Sequence, residues 1–151
     1  MEFDIQPDSK EFRRMMGQLD LDAKQMRRIN SAGGRAAGNV VKKVMKSESP
    51  SDTKTLEKSW HVQLKYDRKT ESVTVKVRPN PKKRFAKGGK KRYPAYTAHF
   101  ADKGFRHWKS KRMVKGNGAY DKAWRRNQSK INSELRAGRL KSIKREIEKN
   151  V

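Results

Sequence analysis

Residues 22–46 carry the clearest hydrophobic periodicity in the chain. Met26, Ile29, Gly33, Ala37, Val40 and Val44 recur at i, i+3, i+7 spacing on one narrow stripe, which predicts a long amphipathic helix. Asp20 and Asp22 stand at its start, where carboxylates suit the positive end of the helix dipole. The middle of the stripe is small, with Gly33, Gly34 and Gly38 among alanines. Glycine costs about 1 kcal/mol against alanine inside a helix, so this run predicts close packing against a sheet or a second helix. Upstream, Phe12, Met15, Met16 and Leu19 predict a shorter helix over 9–19, with Ser9 as N-cap. Downstream, Trp60, Val62, Leu64 and Tyr66 alternate with polar residues, as do Val73, Val75 and Val77. Both runs read as half-buried strands, and residues 67–71 join them as an antiparallel hairpin that Pro79 and Pro81 end. Phe3-Asp4-Ile5 supplies a further short strand, and residues 94–103 a short helix burying Tyr96 and Phe100.

Residues 119–149 read as one long helix with two stripes. Tyr120, Trp124, Ile131 and Leu135 form the first, and Leu140, Ile143 and Ile147 the second. At about 100° per residue the second is turned by roughly 120–140° from the first. Gly138 sits at the division, where a kink or break costs least. The first stripe is expected on the protein's own sheet. The second, Leu140, Ile143 and Ile147, is expected to face a neighbouring subunit, the alternative being one bent helix that wraps the protein's own core.

Helices, then a hairpin, then helices indicate an α+β fold in one domain over residues 1–151. Two long basic loops complete it. Residues 80–92 hold Lys82, Lys83, Arg84, Lys87, Lys90, Lys91 and Arg92 around Gly88-Gly89, and residues 104–118 hold Arg106, Lys109, Lys111 and Arg112 among Phe105, Trp108 and Met113. Charge makes these loops the candidate contact sites. Lys and Arg number 40 against 16 Asp and Glu, a net charge of +24, while Leu, Ile, Val and Phe make only 25 of 151 residues. That balance is typical of disorder, yet the apolar positions are patterned. A small folded core with charged arms ordered by partners reconciles the two. Self-repulsion at this charge also favours an assembly component over an isolated monomer. Cations beside aromatics suit nucleic acid, through phosphate neutralisation and stacking. An acidic neighbouring protein meets the same need, and composition does not separate them.

Catalytic chemistry is not indicated. There is no cysteine, and His61, His99 and His107 lack metal-ligand spacing. Asp20, Asp22 and Asp102 are the only carboxylates of interest for Mg²⁺, and each has a simpler place at a helix end. The glycine run lacks the preceding strand and the Gly-Lys-Ser/Thr ending of a phosphate loop. No enzyme activity and no cofactor are therefore expected. No apolar run approaches a membrane span, and residues 1–8 do not resemble a signal peptide, so synthesis and use in a cytosol are expected.

Between the first long helix and the hairpin lies Pro50-x-x-Thr53-x-x-Leu56-x-x-Ser59. Proline ends the helix, and Leu56 plugs the short turn into the core. This segment resembles the Pro-x-x-Thr-Gly-x-Leu-x-x-Ser signature of phage tail-completion and head–tail joining proteins, the family that includes minor tail protein Z. Tyr96, Ala98, Asp102 and Gly104 resemble the tyrosine–alanine segment leading to Glu-x-Gly in the same proteins. Lys54 stands in place of glycine, and Asp102 in place of glutamate. The resemblance covers roughly residues 20–148. It implies further strands that complete a small antiparallel β-sheet packed against long α-helices. It implies a virion structural protein at the neck or head-proximal tail end, forming a ring, often sixfold, around the DNA path. The implied partners are the tail tube protein, head-connector proteins and genomic DNA in the channel, with no membrane. In that reading the two motifs shape the fold, and the basic loops at 82–92 and 104–115 make the contacts. The alternative is a free-standing basic nucleic-acid-binding protein, although no helix-turn-helix, RNA-recognition or zinc-finger signature accompanies the charge.

Overall fold

The computed structural model describes residues 2–5, 14, 17, 19, 21–49, 55–69, 72–80, 85–87, 90–92, 94–107 and 109–149. The expected helix over 9–19 lies largely outside them, as do Pro50, Thr53, Lys82, Lys83 and Arg84 and the side chain of Tyr96.

The fold is α+β. Three strands, β1 (Phe3–Ile5), β2 (Trp60–Asp67) and β3 (Ser72–Pro79), form an antiparallel sheet of order β1-β3-β2. The register explains the alternation in the sequence. Val77 lies between Phe3 and Val62, and Val75 between Ile5 and Leu64, all on the inner face. Lys76 lies between Asp4 and Gln63 on the outer face. There Glu2 bonds both Lys76 and Arg78, and Arg78 also reaches Gln63 Oε1 at 3.0 Å.

Helix α1 (Ala23–Ser47) packs on the inner face through Ala37, Val41 and Met45. Asp22 and Gln25 start it with a reciprocal capping box: Asp22 Oδ1 accepts from Gln25 N at 2.7 Å, and Gln25 Oε1 from Asp22 N at 2.9 Å. Gly38 sets its distance from the sheet. A Cβ there would lie 2.7 Å from Val62 Cγ1 and 3.1 Å from Val75 Cγ1. The buried arc also takes in Asn30, Gly34, Val41 and Met45, while Val40 and Val44 are only half-buried. The arc is wider than one stripe because α1 serves two partners, the sheet and the C-terminal helix. A buried Val or Leu is worth roughly 1.5–3 kcal/mol against exposure, so this layer supplies much of the stability.

A short helix α2 (Thr55–Ser59) follows, then the sheet, then α3 (Pro94–Lys103). The two basic segments contain hairpins rather than plain loops: β4 (Phe85–Lys87) with β5 (Lys90–Arg92), and β6 (Gly104–Arg106) with β7 (Met113–Lys115). The expected single C-terminal helix is two, α4 (Ala119–Arg126) and α5 (Gln128–Lys149). The break falls at Asn127. Its Nδ2 donates to Ala123 O at 2.9 Å, and its backbone N–H is shared between Ala123 O and Trp124 O. A short amide side chain competing for backbone partners favours a helix end.

Helix α5 is continuous through Gly138, where the sequence suggests a kink or break. The glycine answers a different need. A Cβ on Gly138 would lie 2.9 Å from Ala36 Cβ and 3.0 Å from the Gly33 Cα, and one on Gly33 would lie 2.8 Å from Leu135 O. Gly33 and Gly138 are thus the crossing point of α1 and α5. The helices run antiparallel, with Ile143 beside Ile29, Met26 and Leu21, and Arg28 Nη1 3.4 Å from the buried Glu146 carboxylate. Ile143 is therefore an intrachain contact, against the expectation of a neighbouring subunit. Leu140 and Ile147 do face outward, at 59% and 46% exposure.

Candidate interaction surfaces

Both family-like motifs build scaffold wherever they are described. Leu56 and Ser59 are buried, and Ser59 Oγ donates to Leu56 O at 2.7 Å. Ser59 O then accepts from Asn80 N at 2.9 Å, tying the turn to the end of β3. Next to it, Trp60 Nε1 donates to Ser49 Oγ at 3.0 Å, and Ser49 Oγ contacts Tyr120 Oη at 3.1 Å. Burial pushes the Tyr120 phenol above its ordinary range, so it stays neutral there. These bonds join the end of α1, the start of β2 and the start of α4.

Asp102 organises the second motif. Its side chain is fully buried, and Oδ1 accepts from Tyr120 N at 3.0 Å and Asp121 N at 3.4 Å. Helix α4 needs this, because Gly118 at its N-cap has φ 62° and supplies no side-chain bond. A carboxylate at the first free amides also meets the positive end of the dipole. Oδ2 lies 3.5 Å from Lys103 Nζ. Asp102 O accepts from Gly118 N at 3.1 Å, and Ala101 O from Asn117 N at 3.0 Å. Gly104, with φ 82°, and Gly116 lie where the two segments cross, and a Cβ on either would collide with opposing backbone. Ala98 is buried one turn before Asp102, whereas Phe100, expected inside, is 43% exposed.

The basic residues fall on several surfaces. In hairpin β6–β7, Arg106, Lys109, Lys111 and Arg112 are exposed around a fixed turn. His107 N donates to Arg112 O and Lys111 N to His107 O, both at 2.9 Å, and His107 Nδ1 accepts from Ser110 N at 3.2 Å. Hairpin β4–β5 places Lys87 opposite Lys90, Ala86 opposite Lys91 and Phe85 opposite Arg92 in register. On the outer sheet face, the Lys76 ammonium holds the Glu2 carboxyl below its usual range, and Glu2 raises the Lys76 pKa in return. That cation is already matched.

A further cationic stripe went unread in the sequence. Lys24, Arg28, Arg35, Lys42 and Lys46 lie within roughly 40° of one another around α1 at 100° per residue. All are exposed or half-buried, Arg28 is paired with Glu146 of α5, and α1 contains no acidic residue. The seven-residue spacing of Arg28, Arg35 and Lys42 was the available signal. Among the described residues no group of three His, Cys, Asp or Glu could hold a metal ion, and no helix is long and apolar enough to cross a membrane.

A family model described as "Bacteriophage HK97-gp10, putative tail-component" matches residues 13–104, which include α1, the Leu56–Ser59 turn, β2, β3 and α3 through Asp102. No curated protein and no solved structure matches the chain.

Proposed function

We propose that this chain, which belongs to the HK97-gp10-like family of bacteriophage tail components, is a tail-completion or head–tail joining protein. It closes into a ring at the head-proximal end of the tail tube, around the DNA path. It acts by binding, without catalysis. One interface meets the tube protein, another the head connector, and the channel passes DNA. The family match through both scaffold motifs carries this reading. The net charge of +24 supports it, because so much like charge on a thin core favours a protein completed by its neighbours. A heterologous, head-to-tail contact is the geometry that closes such a ring. Mass measurement of assembled particles should find several copies per neck, and one or two copies would contradict the ring.

The cationic stripe on α1 favours phosphate as one of the anions met. Double-stranded DNA should bind the purified protein with a log–log salt slope of about 0.9 per phosphate neutralised. Arg35→Gln, Lys42→Gln and Lys46→Gln together should flatten that slope, as should neutralising Lys82, Lys83, Arg84, Lys90, Lys91 and Arg92. An unchanged slope in either set would make those residues ordinary solvated surface. Strong DNA binding by a chain that never enters particles would instead favour the free-standing nucleic-acid-binding protein.

A further inference from the structure

The surface beside hairpin β6–β7 is apolar at its centre and cationic at its edge. Phe100 and Val114 are 43% and 41% exposed. The Phe100 and Phe105 rings pack at a tilt of 45° with centroids 5.3 Å apart. Phe100, Phe105 and Val114, with Thr97, Ala101 and Lys115, line an open cavity of about 470 Å³. Clustered apolar side chains of this kind mark interaction sites. Residues 103–115 contain six cations and no Asp or Glu. The nearest carboxylate, Asp102, is buried and engaged with the start of α4 and with Lys103. The backbone beneath is held by the crossing of Gly104 and Gly116, so the groove is formed before anything binds and less ordering cost is incurred.

Three occupants compete for this groove. DNA would satisfy the cations but leave Phe100 and Val114 without apolar cover, and the gain from burial needs such cover. A second copy would have to offer its own exposed apolar groups. Among the described residues, Leu140 and Ile147 on α5 are exposed apolar groups of this kind, and they stand among Lys141, Lys144 and Arg145, with Glu148 the one exposed carboxylate beside Ile147. That pairing would set mostly cation against cation. An acidic protein segment carrying a bulky apolar side chain satisfies both requirements.

We propose that the Phe100–Phe105–Val114 groove docks an Asp/Glu-rich segment of a different virion protein, with an apolar side chain of that segment seated between Phe100 and Val114. The proposal rests on the chain being a virion component. It assigns hairpin β6–β7 to protein contact and leaves phosphate contact to the α1 stripe.

The test places p-benzoylphenylalanine at position 100 of the full chain, where the aromatic ring lines the groove, assembles particles, irradiates them and maps the attachment site by mass spectrometry. The expected product joins position 100 to an acidic segment of another virion protein. In parallel, Val114→Asp should leave thermal unfolding of the isolated chain unchanged, because the side chain is exposed, and reduce incorporation into particles at least tenfold. Attachment to a second copy, to DNA or to a segment without carboxylates, or no attachment at all, would overturn the docking while leaving the virion reading intact. So would normal incorporation of Val114→Asp. Absence of the unmodified chain from purified particles would overturn both.

Discussion

Asp102→Ala is expected to destabilise the isolated chain by about 2–3 kcal/mol, the upper range for losing a helix cap together with a buried charged acceptor. The carboxylate is the side chain that receives the first free amides of α4, from Tyr120 and Asp121. Gly118 has no side chain to take over. Loss of the cap would also loosen Tyr120, which meets Ser49 and packs against Trp60 at a 58° tilt with ring centroids 5.3 Å apart. Asp102→Asn keeps an acceptor oxygen and should cost roughly half as much. Chemical unfolding followed by tryptophan fluorescence measures both. Values within about 0.5 kcal/mol of the wild type, the range of ordinary surface substitutions, would show that α4 does not depend on this cap.

Gly138→Leu is expected to cost about 3 kcal/mol, at the high end for overpacking a close contact. Leucine is the better helix former by about 1 kcal/mol, so an effect of propensity alone would have the opposite sign. The cause is the crossing: α1 backbone and Ala36 leave no room for a side chain at 138. Gly17→Ala, with no described atom within 4 Å of the added methyl, is the control and should be neutral or stabilising by up to about 1 kcal/mol. The same helix pair determines what truncation after Ala137 does. Removing residues 138–151 would uncover Ile29 and take Glu146 from Arg28. The isolated chain should therefore lose stability, with the first half of α1 exchanging amide hydrogens fastest. A truncated chain that keeps full stability and fails only in assembly would contradict this. Ile143→Ala should cost more than Leu140→Ala or Ile147→Ala, since only Ile143 packs against Ile29.

The parts of the fold readable from sequence were those governed by local rules. The alternation in residues 60–66 and 73–77 gave the hairpin and its inner face, because period two is a direct consequence of the pleat. The small residues in α1 correctly indicated close packing. What they approach was not legible, since contact between Gly33 and Gly138 depends on how two distant helices cross. Gly138 shows why the same residue misleads. Helical patterning supplies a reason to expect a break at glycine, and only the neighbouring helix supplies the reason it remains helical. Asn127 was missed for the converse reason, as nothing in the apolar stripe marks an interruption there. In the candidate surfaces, charge runs in loops stood out and the α1 stripe did not, because its cations are spaced by the helix rather than by the chain. Asp102 was placed in a scaffold by family resemblance, but its capping of a helix that starts seventeen residues further on, at Ala119, is tertiary geometry.

Imaging of intact particles by electron microscopy, with this chain traced in the density, tests the central claim most directly. The account predicts several copies in a closed, rotationally symmetric ring between the head connector and the tail tube, with hairpin β6–β7 against a neighbouring protein. Density for the chain at the distal tail tip, as one or two unclosed copies, or nowhere in the particle would contradict it.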